Sequence, residues 1–296
     1  MSDIRVGISG WRYAPWRGVF YPDALPQRLE LAYASREFST IELNGSFYSL
    51  QRPERYADWY AATPRGFLFS IKGPRYLTHI LRLKEIDRPL ANFLASGIFE
   101  LKEKLGPILW QFPPTLRFDP ERFEPFFRAL PRDTDQARAM AARHEDRMRD
   151  RSSLAALPGM PMRHAIEVRH ESFVDPAFVQ MLRHHRVALV VADTAGKWPY
   201  KEDVTADFVY IRLHGDKELY VSGYTDAALD RWGKRIAAWN RGSEPRDAHR
   251  IGAKAARSPG RDVFCYFDND AKVEAPRNAK TLMRKLGLPM RADGGA

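Results

Sequence analysis

Cysteine is almost absent from this chain: there is one, Cys265, in 296 residues. A lone thiol cannot form an internal disulfide. Its place in the apolar run VFCYF marks it as a core residue rather than a nucleophile. Long apolar runs are missing too; none approaches the roughly 18 residues a membrane helix needs, so no membrane partner is expected. The opening MSDIRVGISG moves straight into a strand pattern without the charged, apolar and small-residue regions of a secretory signal. These readings predict a cytoplasmic protein. No strand-to-helix turn carries a glycine-rich phosphate loop or a dinucleotide fingerprint. The absence of CxxC pairs, HExxH and GxSxG excludes the common zinc and nucleophile-elbow designs.

Negative charge is also short. The 47 Lys and Arg outnumber 37 Asp and Glu, for a formal net charge of +10. The excess is local. Residues 241–261 hold six Arg or Lys against two acids, a net +4, and residues 132–163 hold seven Arg against five acids. Neither stretch has a clear hydrophobic period, so both read as basic surface insertions. Solvated loops are the plain interpretation, and a nucleic-acid partner is the sharper one.

What is present is a regular alternation. Eight short apolar runs have strand character, at 5–9, 40–44, 67–72, 108–112, 164–169, 187–193, 207–214 and 262–268. Amphipathic helical patterns lie between most of them, at about 25–36, 53–62, 87–105, 119–130, 175–185, 226–240 and 275–287. Alternating strands and helices over this length predict an α/β protein, a (β/α)8 TIM barrel in one domain spanning 1–290. A doubly wound open sheet is the alternative. One unit is irregular: residues 194–206, TAGKWPYKEDVTA, are too short for a crossover helix and contain Pro199.

In a barrel the outward face of each strand meets helices, and the last inward residues reach the C-terminal mouth, where these folds place their sites. Parity along the strands sets Glu42 and Asn44 opposite Ile41 and Leu43, Lys72 opposite Ile71, and Gln111 opposite Trp110. It likewise sets Glu167 and Arg169 opposite Ile166 and Val168, and Arg212 and His214 opposite Ile211 and Leu213. Asp193 ends the face of Leu189 and Val191. The last strand offers Asp268 or Asn269, with its parity ambiguous. Most strands thus turn polar at the same end. Burying such groups is costly unless they pair, so the acids Glu42, Glu167 and Asp193 are expected to converge with Lys72, Arg169, Arg212 and His214. The first loop, SGWRYAPWRGVFYP, adds Trp11 and Tyr13 either as a stacking wall for a ligand or as a cap on the barrel. His184 and His185 read as surface residues. No cofactor is expected; a divalent metal among Glu42, Glu167, Asp193, His214 and Asp268 is the alternative, with Lys72, Arg169 and Arg212 competing for the same acids.

Seven blocks (GISGWRYAPWRGVFYP, IELNGSFY, FLFSIKGPRYLTH, LGPILWQFPP, AIEVRHESF, DFVYIRLHG and YFDNDAKVEAPRNA) resemble the YecE-like family of bacterial and archaeal proteins, catalogued as domain of unknown function 72. They run from Gly7 to about Leu286. The resemblance implies a TIM barrel and supplies no reaction. The fold's likeness to metal-dependent AP endonucleases and sugar isomerases adds a nuclease alternative by analogy only.

The residues favour an enzyme acting on a small anionic or polyhydroxylated ligand. Arg169, Arg212 and Lys72 would hold negative charge. Glu167 or Asp193 would be the general base and His214 the proton carrier. Trp11 and Tyr13 would stack, with Glu42, Asn44, Gln111, Asp268 and Asn269 lining the ligand. A nucleic-acid-binding or phosphodiesterase barrel is the rival, and a non-catalytic ligand- or partner-binding barrel the third reading. Nothing in the sequence marks an oligomer interface.

Overall fold

The structure is a computed structural model that describes residues 2–290. The expected domain span, 1–290, lies within these residues except for Met1, which is outside the described residues. Eight parallel strands close into a barrel in chain order, each paired with its sequence neighbours and the last with the first. They are β1 (Ile4–Ser9), β2 (Thr40–Leu43), β3 (Leu68–Lys72), β4 (Leu105–Gln111), β5 (His164–Glu167), β6 (Ala188–Asp193), β7 (Phe208–Leu213) and β8 (Asp262–Phe267).

Parity sorts the core into two layers. Ile8, Ile41, Phe69, Trp110, Ile166, Val191, Ile211 and Cys265 face outward into a large core under the helices. Leu109, Ala165, Val190, Phe208, Tyr210, Phe264 and Tyr266 fill the barrel itself. Apolar packing gives way upward to hydroxyls. Tyr266 OH lies 2.8 Å from Thr40 Oγ1, and Tyr210 OH lies 2.6 Å from Ser70 Oγ. Above that layer the interior is ionic. Gly7 lets β1 and β2 close, because a Cβ there would sit 1.9 Å from the Thr40 carbonyl oxygen.

No helix joins β6 to β7. The stretch 241–261 is clamped onto this connection instead. Glu202 accepts from the His249 N–H and the Arg235 guanidinium, and Asp203 accepts from the Ile251 and Gly252 N–H groups. The other basic stretch contains the helix Thr134–Ala141, capped by Asp133, which accepts from Gln136 N at 2.8 Å. That helix buries Ala137 and Ala141. The helical pattern expected over 87–105 is two pieces, Asp87–Ala95 and the 3-10 turns Ile98–Lys104. The break is at Gly97, whose φ of 110° suits glycine. Among the described residues no helix is long and apolar enough to cross a membrane.

Candidate active site at the barrel mouth

Arg212 is the centre of the mouth. It is completely buried at the end of β7 and serves three carboxylates. Its Nε and Nη2 donate to the two oxygens of Glu42 at 3.1 and 2.8 Å, its Nη1 to Glu167 Oε2 at 2.5 Å, and its Nη2 to Asp268 Oδ2 at 2.8 Å. Glu42 also accepts from Ser9 Oγ at 2.6 Å and Tyr210 OH at 2.7 Å. Glu167 accepts on its other oxygen from Arg169 Nε at 2.7 Å. Strand pairing explains the convergence: Ser9 stands beside Glu42 in the register of β1 and β2, Gln111 beside Glu167, and Arg212 beside Tyr266.

These contacts fix the charges. Burial alone would raise Glu167, but Arg169 and Arg212 outweigh it and hold the carboxyl well below its usual range. Asp268 is lowered in the same way by Arg212 and His214 against the pull of burial. Arg212 is itself disfavoured by burial and rescued by Glu42, Asp268 and Glu167. The set is therefore ionised and internally compensated.

His214 sits behind this network rather than in front of it. It is 0% exposed. Its Nδ1 lies 3.0 Å from Asp268 Oδ2, off the line of a good hydrogen bond, and its Nε2 lies 3.4 Å from Arg212 Nη1. Burial and Arg212 lower its pKa, so the ring is neutral near pH 7.

Two groups at the mouth are poised near neutrality. Lys72, at the end of β3, makes no ion pair within 4 Å among the described residues; its ammonium lies 4.4 Å from the centre of the Phe47 ring. Burial and the neighbouring Arg212 push it down to about 8. His79, in the π-turn Tyr76–Ile80 after β3, packs edge-on against the same Phe47. Asp270, just beyond β8, lies beside the Tyr13 hydroxyl, and burial with the nearby Asp268 pushes it up to about 8.

The expected convergence of Asp193 does not occur. Its side chain follows the outward parity of Val191 and accepts from Tyr224 OH at 3.1 Å, which in turn accepts from Gly215 N. Asp268 takes its place as the third acid. The ambiguity on β8 resolves the same way: Asp268 joins Arg212, whereas the Asn269 side chain donates to Ser222 O and Asn278 Oδ1. Asn44 donates to Ser9 Oγ at 2.9 Å, and Gln111 is buried at the inner end of β4.

The aromatic loop divides. Trp16, Phe20 and Tyr21 pack on one another and on Tyr33 and Phe38 as a cap. Trp11 stands edge-on to Trp59, and Tyr13 donates to Ser9 O at 2.6 Å. These two, with Asn44 and Arg55, line a cavity of about 250 Å³ at the β1–β2 edge of the mouth. Two residues not foreseen complete the rim. Trp198 lies under the Arg169 guanidinium at 3.8 Å. Tyr220 accepts from Arg169 Nη2 at 3.2 Å and packs edge-on to His214. Tyr220 has φ 63°, a conformation uncommon outside glycine and asparagine. Its only sequence signal was its place in the loop after HG; that of Trp198 was the irregular unit. Among the described residues no three His, Cys, Asp or Glu gather in a way that would hold a metal ion.

Comparison with known proteins places this architecture. The family described as protein of unknown function DUF72 matches residues 5–294. UPF0759 protein YunF of Bacillus subtilis is 29% identical over 116 residues, 38% of this chain and 40% of that protein. UPF0759 protein YecE of Escherichia coli is 26% identical over 112 residues, 38% of each. These matches thus span about two fifths of the length of those curated relatives. A DUF72 family protein from Thermotoga maritima superposes with a TM-score of 0.72 at 24% identity, covering 96% of this chain and 99% of that one. One from Enterococcus faecalis gives 0.67 at 18% identity, covering 99% and 100%. At those identities the likeness is one of fold.

Proposed function

The chain belongs to the DUF72 family, and from its geometry we propose that the barrel mouth is an active site for a small ligand bearing an anionic group and hydroxyls, such as a sugar acid or a phosphorylated metabolite, transformed by acid/base chemistry. The observation that carries this reading is a pair of buried oxygens, Asn44 Oδ1 and Asp270 Oδ1, that have no partner among the described residues. They lie beside a network whose carboxylates are otherwise multiply bonded. An orphaned buried polar atom costs about 1–3 kcal/mol, and one that survives in a native structure calls for an explanation, a catalytic role among them. Around them the carboxyl of Asp270 is a neutral donor at pH 7, and Asn44 Oδ1 is an acceptor. Hydroxyls on a ligand satisfy both.

Charge selects the rest of the ligand. Lys72 and Arg169 flank the same mouth, and neither is fully neutralised by a carboxylate of its own. Trp198 and Tyr220 hold the Arg169 fork in place for a carboxylate or phosphate. The proton transfer falls to Lys72 and Asp270, whose strengths are matched near pH 8. Glu167 is too strongly held in its ionised form to serve as base, and His214 orients Asp268 and Arg212 from behind. Both roles therefore pass from the residues first expected to carry them.

Calorimetry with a panel of sugar acids and sugar phosphates tests the reading. A member of the panel is expected to bind the wild type, to lose binding in Arg169→Ala, and to bind Asp270→Asn without being turned over. No binding by any member, or binding untouched by Arg169→Ala, would refute it.

A further inference from the structure

A second basic region lies at the other end of the barrel. A groove of about 960 Å³ runs across the N-terminal ends of β5 to β8. The two basic stretches, far apart in sequence, meet there: Arg132 and Arg163 come from the first, Lys254 and Arg261 from the second. Arg183 and Arg186 are supplied between them by the end of the helix Pro176–His184 and the turn before β6. Asp207 is the one carboxylate among the lining residues.

Their bonding leaves the positive charge uncompensated. Arg183 donates to Val204 O and Ala253 O, Arg261 to Ser243 O and Ala256 O, and Arg132 to Phe127 O. Carbonyl oxygens orient a guanidinium without cancelling it. Burial lowers Arg132 and Arg261, and Arg186 lowers Arg132 further. Among the described residues, Arg163 alone of these basic side chains is paired with acids, Asp262 at 2.6 Å and Asp207 at 3.5 Å. Arg186 and Lys254 are exposed, and their side chains make no hydrogen bond or ion pair among the described residues. His185, expected at the surface, is buried at the groove wall against Glu124 and Phe127.

We infer that this groove binds a chain of linked phosphates, the sequence-independent backbone of a nucleic-acid strand. Four adjacent strand starts span about 15 Å at the usual strand spacing, long enough to follow a short run of consecutive backbone phosphates. No Phe, Tyr or Trp lines the groove, His185 is buried in its wall, and the exposed His184 is the one ring left to meet a base, so the contact reads charge rather than sequence. This site is independent of the chemistry proposed for the mouth, which faces the opposite end of the barrel.

Fluorescence anisotropy with short single-stranded oligonucleotides of two unrelated sequences tests it, over a range of salt and with inorganic polyphosphate as competitor. Both sequences should bind alike. In Arg186→Glu/Lys254→Glu the affinity should fall by about tenfold or more, and the slope of log K against log salt should shrink by about 1.4, two phosphate contacts' worth. Displacement by polyphosphate at matched phosphate concentration would assign the groove to linked phosphates in general, and resistance to it to nucleic acid. Absence of binding by the wild type overturns the inference. So does an unchanged affinity in the double variant, or an equal loss in Arg12→Glu/Arg55→Glu, two arginines that line the cavity at the β1–β2 edge of the mouth.

Discussion

The two ends of this barrel treat positive charge in opposite ways. At the mouth, Arg212 has no exposure and bonds to three carboxylates, so the charge is cancelled where it is buried. At the base, Arg132 and Arg183 are held by carbonyl oxygens and Arg186 and Lys254 by nothing among the described residues, so the charge of these four is displayed, while the buried Arg261 is held by carbonyl oxygens behind them. The difference follows from solvent. A desolvated charge must be paired within the protein, whereas a charge in an open groove keeps its water and costs little. The mouth is accordingly a rigid scaffold on which a few groups are left to titrate, and the base is an electrostatic surface.

The contrast can be broken most forcefully at its centre. Arg212→Met would leave Glu42, Glu167 and Asp268 without their shared counter-charge, and a loss of about 3–5 kcal/mol is expected in urea unfolding. A loss under about 1 kcal/mol would mean that the acids are neutralised by other means. The next effect depends on pH. Asp270 keeps its proton up to about 8 in the folded protein, against 3.8 as its ordinary value. The native state therefore binds more protons than the unfolded one in that interval. Its contribution to stability is complete below about pH 4 and is lost as pH rises towards 8. Melting temperatures of wild type and Asp270→Asn should diverge across that window in the variant's favour; parallel curves would refute the assignment.

Lys72 sharpens the comparison from the other direction. Its amine is pushed down to about 8 from 10.5. The folded state pays for a charged amine below about pH 8, and the penalty fades as pH rises towards 10.5. Lys72→Met should remove that rise, which a series of unfolding curves between pH 7 and 10.5 would show. The smallest effect belongs to the base. Arg186→Glu should alter stability by no more than about 0.5 kcal/mol. A larger loss would show that the groove, like the mouth, is part of the structural framework.

Much of this was legible from residue order. The strand alternation located all eight strands to within a few residues, because each must be apolar towards its helices. The same parity marked Glu42, Lys72, Glu167, Arg169 and Arg212 as inward. It said nothing reliable beyond the strand ends. Asp270 shares its parity with Asp268, but the chain has left the sheet at Phe267, and where Asp270 points depends on the turn that follows. The helix Thr134–Ala141 was missed because its buried face is alanine, which carries little hydrophobic signal, although Asp133 and Gln136 form a recognisable cap. Trp198 and Tyr220 were overlooked since irregular loops have no period to read.

By itself the sequence determined the barrel and which face of each strand is polar, for those follow from local alternation and the cost of burying unpaired charge. Only the tertiary structure decided which acid completes the Arg212 network, which side chains stay free to titrate, and that two basic stretches a hundred residues apart share one groove. Those outcomes depend on strand register and barrel closure, which bring distant residues together and leave no trace in local residue order.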